Sequence, residues 1–236
     1  MAFALRKLRR LGDTKPARES IGGLARLFSN PELSRTLASL EKSKSDANIS
    51  ELLRLQRCPG RIETAWLGLG SIGYELVAHF KPKCVVELGS YGGFSTASLA
   101  LALKKHVQGG KLFAVDTWAG DFHAGFYSES VFSQFQTFRS ELELTEVIEP
   151  MRMTFEEAAG LIKGPVDMLH IDGWHTFQAV KRDLALFKPV LSSPATVIFH
   201  DVNTHFLGMR LFWLQLALRH KTALVPYSHG LGVARV

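Results

Sequence analysis

The stretch that most limits what this chain can fold into is Val85-Val86-Glu87-Leu88-Gly89-Ser90-Tyr91-Gly92-Gly93-Phe94-Ser95-Thr96. A β-branched apolar run enters it, and a helical pattern from Ser95 to Lys105 leaves it. The order predicts a strand, a turn with three glycines and a helix N-terminus. Such a turn offers backbone N–H groups and a positive helix end to a polar ligand. Glycine admits positive φ and lets a ligand lie against bare backbone. Glu87 is a charge at the end of an apolar strand, a costly place without a partner. A second strand, Lys111-Leu112-Phe113-Ala114-Val115, ends in Asp116. An acid there is placed to hold two ribose hydroxyls.

From Lys83 the pattern alternates. Strands are predicted at 83–88, 111–116, 146–149, 166–171, 195–200, 222–226 and 231–235, and helices at 95–105, 128–140, 155–162, 175–187 and 206–219. This alternation predicts an α/β fold, a doubly wound and mostly parallel seven-stranded sheet with helices on both faces. Ligands in such sheets bind beyond the carboxyl ends of the strands, near the switch point.

The chain before Lys83 reads differently. Met1 to Leu11 reads as a basic amphipathic helix that could touch an acidic membrane surface or a partner, or sit solvated. Ser29-Asn30-Pro31-Glu32 is a helix start. Glu41 to Asn48 reads as a polar loop, Ser50 to Leu55 as a short helix stopped by Cys58-Pro59-Gly60, and Ile62 to Phe80 as a mostly apolar helix. Residues 1–60 hold the whole net charge of +6, and residues 61–236 are neutral. We therefore expect a basic helical extension over 1–60 and a catalytic domain over 61–236. A neutral body argues against a nucleic-acid surface. No apolar run reaches the roughly 18 residues of a membrane span. Cys58 and Cys84 are unpatterned, which favours a reducing cytoplasm over a disulfide framework.

The nicotinamide fingerprint is G-x-G-x-x-G with an acid about 20 residues on. This chain has Gly89-x-x-Gly92-Gly93 and a later acid, Asp116, which suits a nucleoside ligand without a pyrophosphate. Here it resembles the class I methyltransferases, whose first motif is an acid, a glycine-rich turn and a helix. The resemblance implies S-adenosylmethionine as cofactor. It implies contacts from Glu87, Gly89, Ser90, Tyr91, Gly93, Phe94 and Ser95, from Asp116, Thr117 and Trp118, and from Thr154 beside the adenine.

Three further segments carry chemistry. Asp116 to Tyr127 is a polar, aromatic loop in which Asp121 and His123 could meet a substrate, with His123 able to act as a base. A buried strand ends in Ile171-Asp172-Gly173, and His175 opens the next helix. Another ends in Phe199-His200-Asp201. If these two ends are neighbours, Asp172, His200 and Asp201 form a cluster suited to a divalent cation, and His175 could complete it or serve as base.

Together with Gly230-Leu231-Gly232-Val233, these pieces make residues 85–236 resemble the family of macrocin-type sugar O-methyltransferases and cephalosporin hydroxylase-like proteins. The resemblance implies acids at the Asp172 position and in a later pair that bind magnesium. His200 takes the first place of that pair here, and imidazole favours softer ions such as manganese. We therefore expect transfer of a methyl group from S-adenosylmethionine to a hydroxyl of a sugar or glycosylated small molecule. Magnesium or manganese would sit on Asp172, His200 and Asp201, with His123 or His175 as base. The rival readings are a nicotinamide oxidoreductase and a non-catalytic scaffold. The expected partners are a small-molecule acceptor, a weak membrane-surface contact through the N-terminus and a second copy of the chain.

Overall fold

The computed structural model describes residues 28–121, 125–204 and 206–236. The expected helix at Met1–Leu11 and the candidate base His123 lie outside them. Seven strands form one sheet: β1 (Cys84–Leu88), β2 (Lys111–Asp116), β5 (Ile148–Arg152), β6 (Val166–Ile171), β7 (Leu191–Phe199), β8 (Lys221–Val225) and β9 (Leu231–Arg235). Their order is β5-β2-β1-β6-β7-β9-β8. The first five run parallel, and β9 is antiparallel to both β7 and β8. The central strands are apolar on both faces, as a sheet covered on both sides requires. Val85, Val86, Leu88, Leu169 and Ile171 are all fully buried.

The chain leaves β1 for β2 and β5 on one side, then returns to β6 and β7 on the other. The β1–β6 gap is therefore the switch point, and the ends of β1, β2, β6 and β7 surround it. One face is covered by α3 (Gly70–Phe80), α4 (Phe94–His106) and α5 (Glu129–Glu141), the other by α6 (Phe155–Leu161), α7 (Phe177–Phe187) and α8 (Leu207–Ala217). A small hairpin, β3 (Gly120–Asp121) with β4 (Gly125–Phe126), stands in the loop after β2.

The N-terminal segment departs from expectation. α1 (Pro31–Ser43) and α2 (Ser50–Gln56) put Leu33, Leu37, Leu40, Leu52, Leu53 and Leu55 into the same apolar layer as α3 and α4. Asn30 caps α1 through its side chain, and its N–H donates to the Thr222 carbonyl on β8 at 2.7 Å. The described part of the proposed extension, residues 28–60, therefore packs on the same core as the domain that follows it. The expected loop at 41–48 is partly helical, because α1 runs to Ser43 and a 3₁₀ turn covers Asp46–Ile49, burying Ile49. The expected helix at 62–80 begins only at Gly70. Ahead of it the chain turns, with Ile62 N–H on Gln134 Oε1 at 2.7 Å and Trp66 N–H on Thr64 Oγ1 at 3.1 Å. These side-chain acceptors replace the carbonyls a helix would use. β5 lies later than the predicted 146–149, and β7 stops at Phe199, so His200 follows the strand rather than ending it.

Candidate active site at the sheet switch point

A cavity of about 580 Å³ opens at the carboxyl ends of β1, β2, β6 and β7. The glycine turn forms its floor. Gly89 has φ +91°, and a Cβ there would come within 2.2 Å of the Asp172 carbonyl oxygen. The β1 turn and the β6 end are thus pressed together backbone to backbone, an approach only glycine permits. Gly93 is the N-cap of α4 at φ +85°, and among the described residues no side chain caps that helix. The first N–H groups of α4 therefore lie at the cavity, which Gly93, Phe94 and Ser95 line. Ser90 also lines it, and its hydroxyl is buried without a hydrogen-bond partner among the described residues. An unmatched buried hydroxyl at a cavity wall marks a place for a polar ligand group.

Asp116 joins the turn to the β2 loop. One carboxylate oxygen accepts the Tyr91 N–H at 2.9 Å and the other the Trp118 N–H at 2.8 Å. Burial pushes its carboxyl above the ordinary value, against the pull of these N–H groups. The Ser90 N–H acts on the same carboxylate. Of its roughly four acceptor sites one is left, so Asp116 can meet a ligand hydroxyl while pinning both loops. Tyr91 and Thr117 line the cavity beside it.

Of the expected cofactor contacts, Glu87 and Trp118 do not line the cavity, while Thr154 does. Glu87 is fully buried and does not line the cavity. It accepts a short hydrogen bond from the Thr96 hydroxyl and lies 2.9 Å from His170 Nδ1, holding the turn from beneath. Trp118 is 1% exposed, because its positive φ turns the ring inward against Phe132 and Phe135, where Nε1 donates to the Tyr91 carbonyl at 2.8 Å. Thr154 does line the cavity, but its hydroxyl is engaged in a capping box with Glu157 at the start of α6.

The ends of β6 and β7 are neighbours, and they gather Asp172, His175, His200 and Asp201 on the cavity wall. His175 Nε2 lies 2.8 Å from Asp201 Oδ2 and 3.7 Å from Asp172 Oδ1. His200 Nδ1 lies 3.2 Å from Asp172 Oδ1 and 3.3 Å from Asp201 Oδ2. Burial alone would push both imidazoles down. The two carboxylates outweigh it and raise His175 to about 9 and His200 to about 10. Burial would raise Asp201, but the histidines hold it at about 2, and Asp172 is held well below its ordinary value in the same way. Without a cation the cluster stores protons between its carboxylates. A divalent ion between the same groups would displace them.

Sequence reasoning missed two members. Trp66 is 3% exposed, and its Nε1 donates to Asp172 Oδ2 at 3.1 Å. It lies well ahead of the glycine turn, in the stretch expected to be helical. Its neighbours Glu63, Thr64 and Ala65 line the cavity as well. His229, on the turn between β8 and β9, has Nδ1 3.1 Å from Asp201 Oδ1. Its signal was its place just before Gly230-Leu231-Gly232-Val233, at the end of a strand next but one to β7.

Residues 86–202 match a family described as a methyltransferase domain. The chain is 38% identical over 173 residues to the uncharacterised protein y4gI of Sinorhizobium fredii (strain NBRC 101917 / NGR234); the match takes in 72% of this chain but spans only 19% of that protein. Among solved structures, the fold is similar to the O-methyltransferase TomG of Streptomyces achromogenes, solved with S-adenosylmethionine (16% identity, 87% of this chain, 96% of that chain, TM-score 0.59). It is similar also to an O-methyltransferase of Bacillus cereus in complex with S-adenosylhomocysteine (17% identity, 87% and 97%, TM-score 0.59). A methyltransferase of Geobacter sulfurreducens gives the same score at 17% identity, with 86% and 95% covered. Residues 86–202 thus resemble a methyltransferase domain, and the chain has the Rossmann-like fold of the solved methyltransferases.

Proposed function

We propose that this chain transfers a methyl group from S-adenosylmethionine to a hydroxyl of a small molecule, with help from a divalent cation. The observation that carries the reading is the meeting of two half-sites in one cavity. The β1–β2 ends offer a bare glycine turn, an uncapped helix N-terminus, the Ser90 hydroxyl and Asp116. The β6–β7 ends offer two carboxylates and two imidazoles.

The residues present fit both groups. An adenosyl ligand needs a carboxylate for its ribose and bare backbone beside it, which Asp116 and Gly89 supply. Imidazoles with carboxylates suit manganese, iron or zinc better than magnesium. When bound, S-adenosylmethionine supplies an electrophilic methyl carbon, and a divalent cation supplies a Lewis acid. Asp172, His200 and Asp201 would hold that cation. Trp66 fixes the Asp172 carboxylate by its indole N–H and leaves Oδ1 toward the histidines. His175, stacked on Phe206 at 4.4 Å between ring centroids, presents Nε2 to the cluster. With its proton displaced, Nε2 can take the proton that leaves the acceptor hydroxyl. Because the cation-free imidazole is protonated at neutral pH, His175 serves as a base only once positive charge offsets the two carboxylates.

The acceptor we propose is a sugar or glycosylated small molecule. Glu63, Glu156 and Arg182 offer hydrogen bonds around the opening, and Trp174, 43% exposed, offers a flat apolar face. The free Cys58 and Cys84 fit the proposed cytoplasmic setting. Among the described residues, no helix is long and apolar enough to cross a membrane. The test is transfer of a labelled methyl group from S-adenosylmethionine to a panel of glycosylated acceptors, before and after exhaustive chelation. The reading expects transfer that chelation abolishes and manganese restores at least as well as magnesium. Transfer that survives chelation would remove the cation from the mechanism.

A further inference from the structure

We propose that His229 is a metal ligand, acting with His200 and Asp201 from the side of the cluster away from the cavity, and that it gives the site its preference for transition metals. The inference rests on the cation reading above and adds a residue that lies outside the matched domain, beyond residue 202.

Four observations converge on it. First, Asp201 is 5% exposed, and its Oδ1 makes no hydrogen bond among the described residues, although His229 Nδ1 stands 3.1 Å away. A buried carboxylate oxygen and a ring nitrogen this close, but misaligned for a shared proton, are placed as two donors aimed at one point. Second, His200 lies with Nε2 3.2 Å from the Ser228 carbonyl. A proton held there fixes the tautomer and leaves the Nδ1 lone pair facing the carboxylates, the arrangement metal-bound histidines adopt. The carbonyl that does this belongs to the residue before His229, so one turn sets both imidazoles.

Third, that turn is held and strained. Asn203 Nδ2 donates to the Pro226 carbonyl at 2.8 Å, and Asn203 N–H donates to the His229 carbonyl at 2.8 Å. Ser228 and His229 have φ of +47° and +69°, and Asp201 opposite has +61°. Three non-glycine residues in the left-handed region around one point cost conformational energy that a surface turn could avoid with glycine or asparagine. Such strain gathers at functional sites. Fourth, the ligand atoms of His200, Asp201 and His229 lie within 4.8 Å of one another, as do those of Asp172, His175 and Asp201. The two sets share Asp201, whose Oδ2 faces His175 and His200 and whose Oδ1 faces His229. A nitrogen on each side of the carboxylate raises the imidazole share of the donor set. That favours zinc, cobalt or manganese over magnesium.

The test is calorimetric titration of the metal-free full chain with zinc(II) and with magnesium(II) chloride, and the absorption spectrum of the cobalt(II)-loaded protein. The variants are His229→Asn, which keeps a residue that tolerates left-handed φ, and Asp172→Asn. His229 is 59% exposed on its side chain, so the substitution leaves the core intact. We expect His229→Asn to weaken zinc binding by about tenfold or more and to change the cobalt spectrum, while S-adenosylhomocysteine binds as before. Unchanged zinc affinity and an unchanged spectrum in His229→Asn, with binding lost in Asp172→Asn, would overturn the His229 assignment and leave the cation reading standing. A wild-type chain that binds neither zinc nor magnesium would overturn both.

Discussion

The two halves of the cavity are built in different ways. At the β1–β2 ends the acids are already settled within the fold: Asp116 takes the backbone N–H groups of Tyr91 and Trp118, and Glu87 takes the Thr96 hydroxyl and meets His170 beneath the turn. At the β6–β7 ends the polar groups face one another, side chain to side chain, with Trp66 and His229 arriving from the two ends of the chain. The first half is a preformed cradle that needs a ligand only for its spare lone pair and the Ser90 hydroxyl. The second holds like charges together and depends on protons or a cation to balance them. The contrast implies a division of labour. The first half should govern cofactor affinity and the second should govern turnover.

The largest effect expected from that division is on Asp172. Asp172→Asn removes a charge from the cluster without touching the glycine turn. Turnover should fall by roughly 10²–10⁴-fold, the range for losing acid–base or metal assistance. Affinity for S-adenosylhomocysteine should stay within about threefold. Initial rates and calorimetry on the same preparation separate the two. A variant that loses cofactor binding as much as turnover would show that the halves are not independent.

The next largest tests whether the N-terminal helices belong to the domain. Leu52 on α2 is fully buried in the layer shared with α3 and α4. Leu52→Ala should cost about 2–5 kcal/mol in denaturant unfolding, as for other core leucines. A cost near zero would support the boundary at residue 60 and the picture of a detachable extension.

The cluster should also tie stability to pH when no cation is bound. The folded pKa values of His175 and His200, about 9 and about 10, lie above the ordinary 6.5. Their stabilisation is therefore complete below about pH 6.5 and is lost as pH rises through 9 and 10. For His175 alone the loss is on the order of 3 kcal/mol. Thermal unfolding of chelated protein from pH 6 to 10 should fall along that window. Saturation with zinc or manganese should flatten the curve. A flat curve in chelated protein would mean that the cluster does not hold these protons.

What was legible follows the same contrast. The strand–glycine turn–helix and the acid at the next strand end lie in order along the chain, so the fold and the cradle could be read from residue types and spacing. Asp172, His175, His200 and Asp201 could be read as a cluster because they directly follow two parallel strands adjacent in the sheet. Trp66 could not, since an indole in an apolar stretch looks like core until its N–H is seen on Asp172. His229 was hidden because only the antiparallel return of β9 brings the β8–β9 turn beside β7. Trp118 and Glu87 carry the right residue types at the right spacing, but positive φ at Trp118 and the burial of Glu87 against His170 turn both away from the cavity. The helices of residues 31–56 were seen in part, but charge made them look peripheral, while their leucines face the shared core.

The central claim is that the cradle is made for S-adenosylmethionine, and the most direct measurement is a calorimetric titration with S-adenosylhomocysteine and with NAD, side by side, on wild type and Asp116→Asn. The account predicts a single site for S-adenosylhomocysteine, weakened by about 1–3 kcal/mol in Asp116→Asn through a lost contact to a ribose hydroxyl. It predicts no comparable binding of NAD. Tighter binding of NAD than of S-adenosylhomocysteine, or no binding of S-adenosylhomocysteine at all, would contradict it.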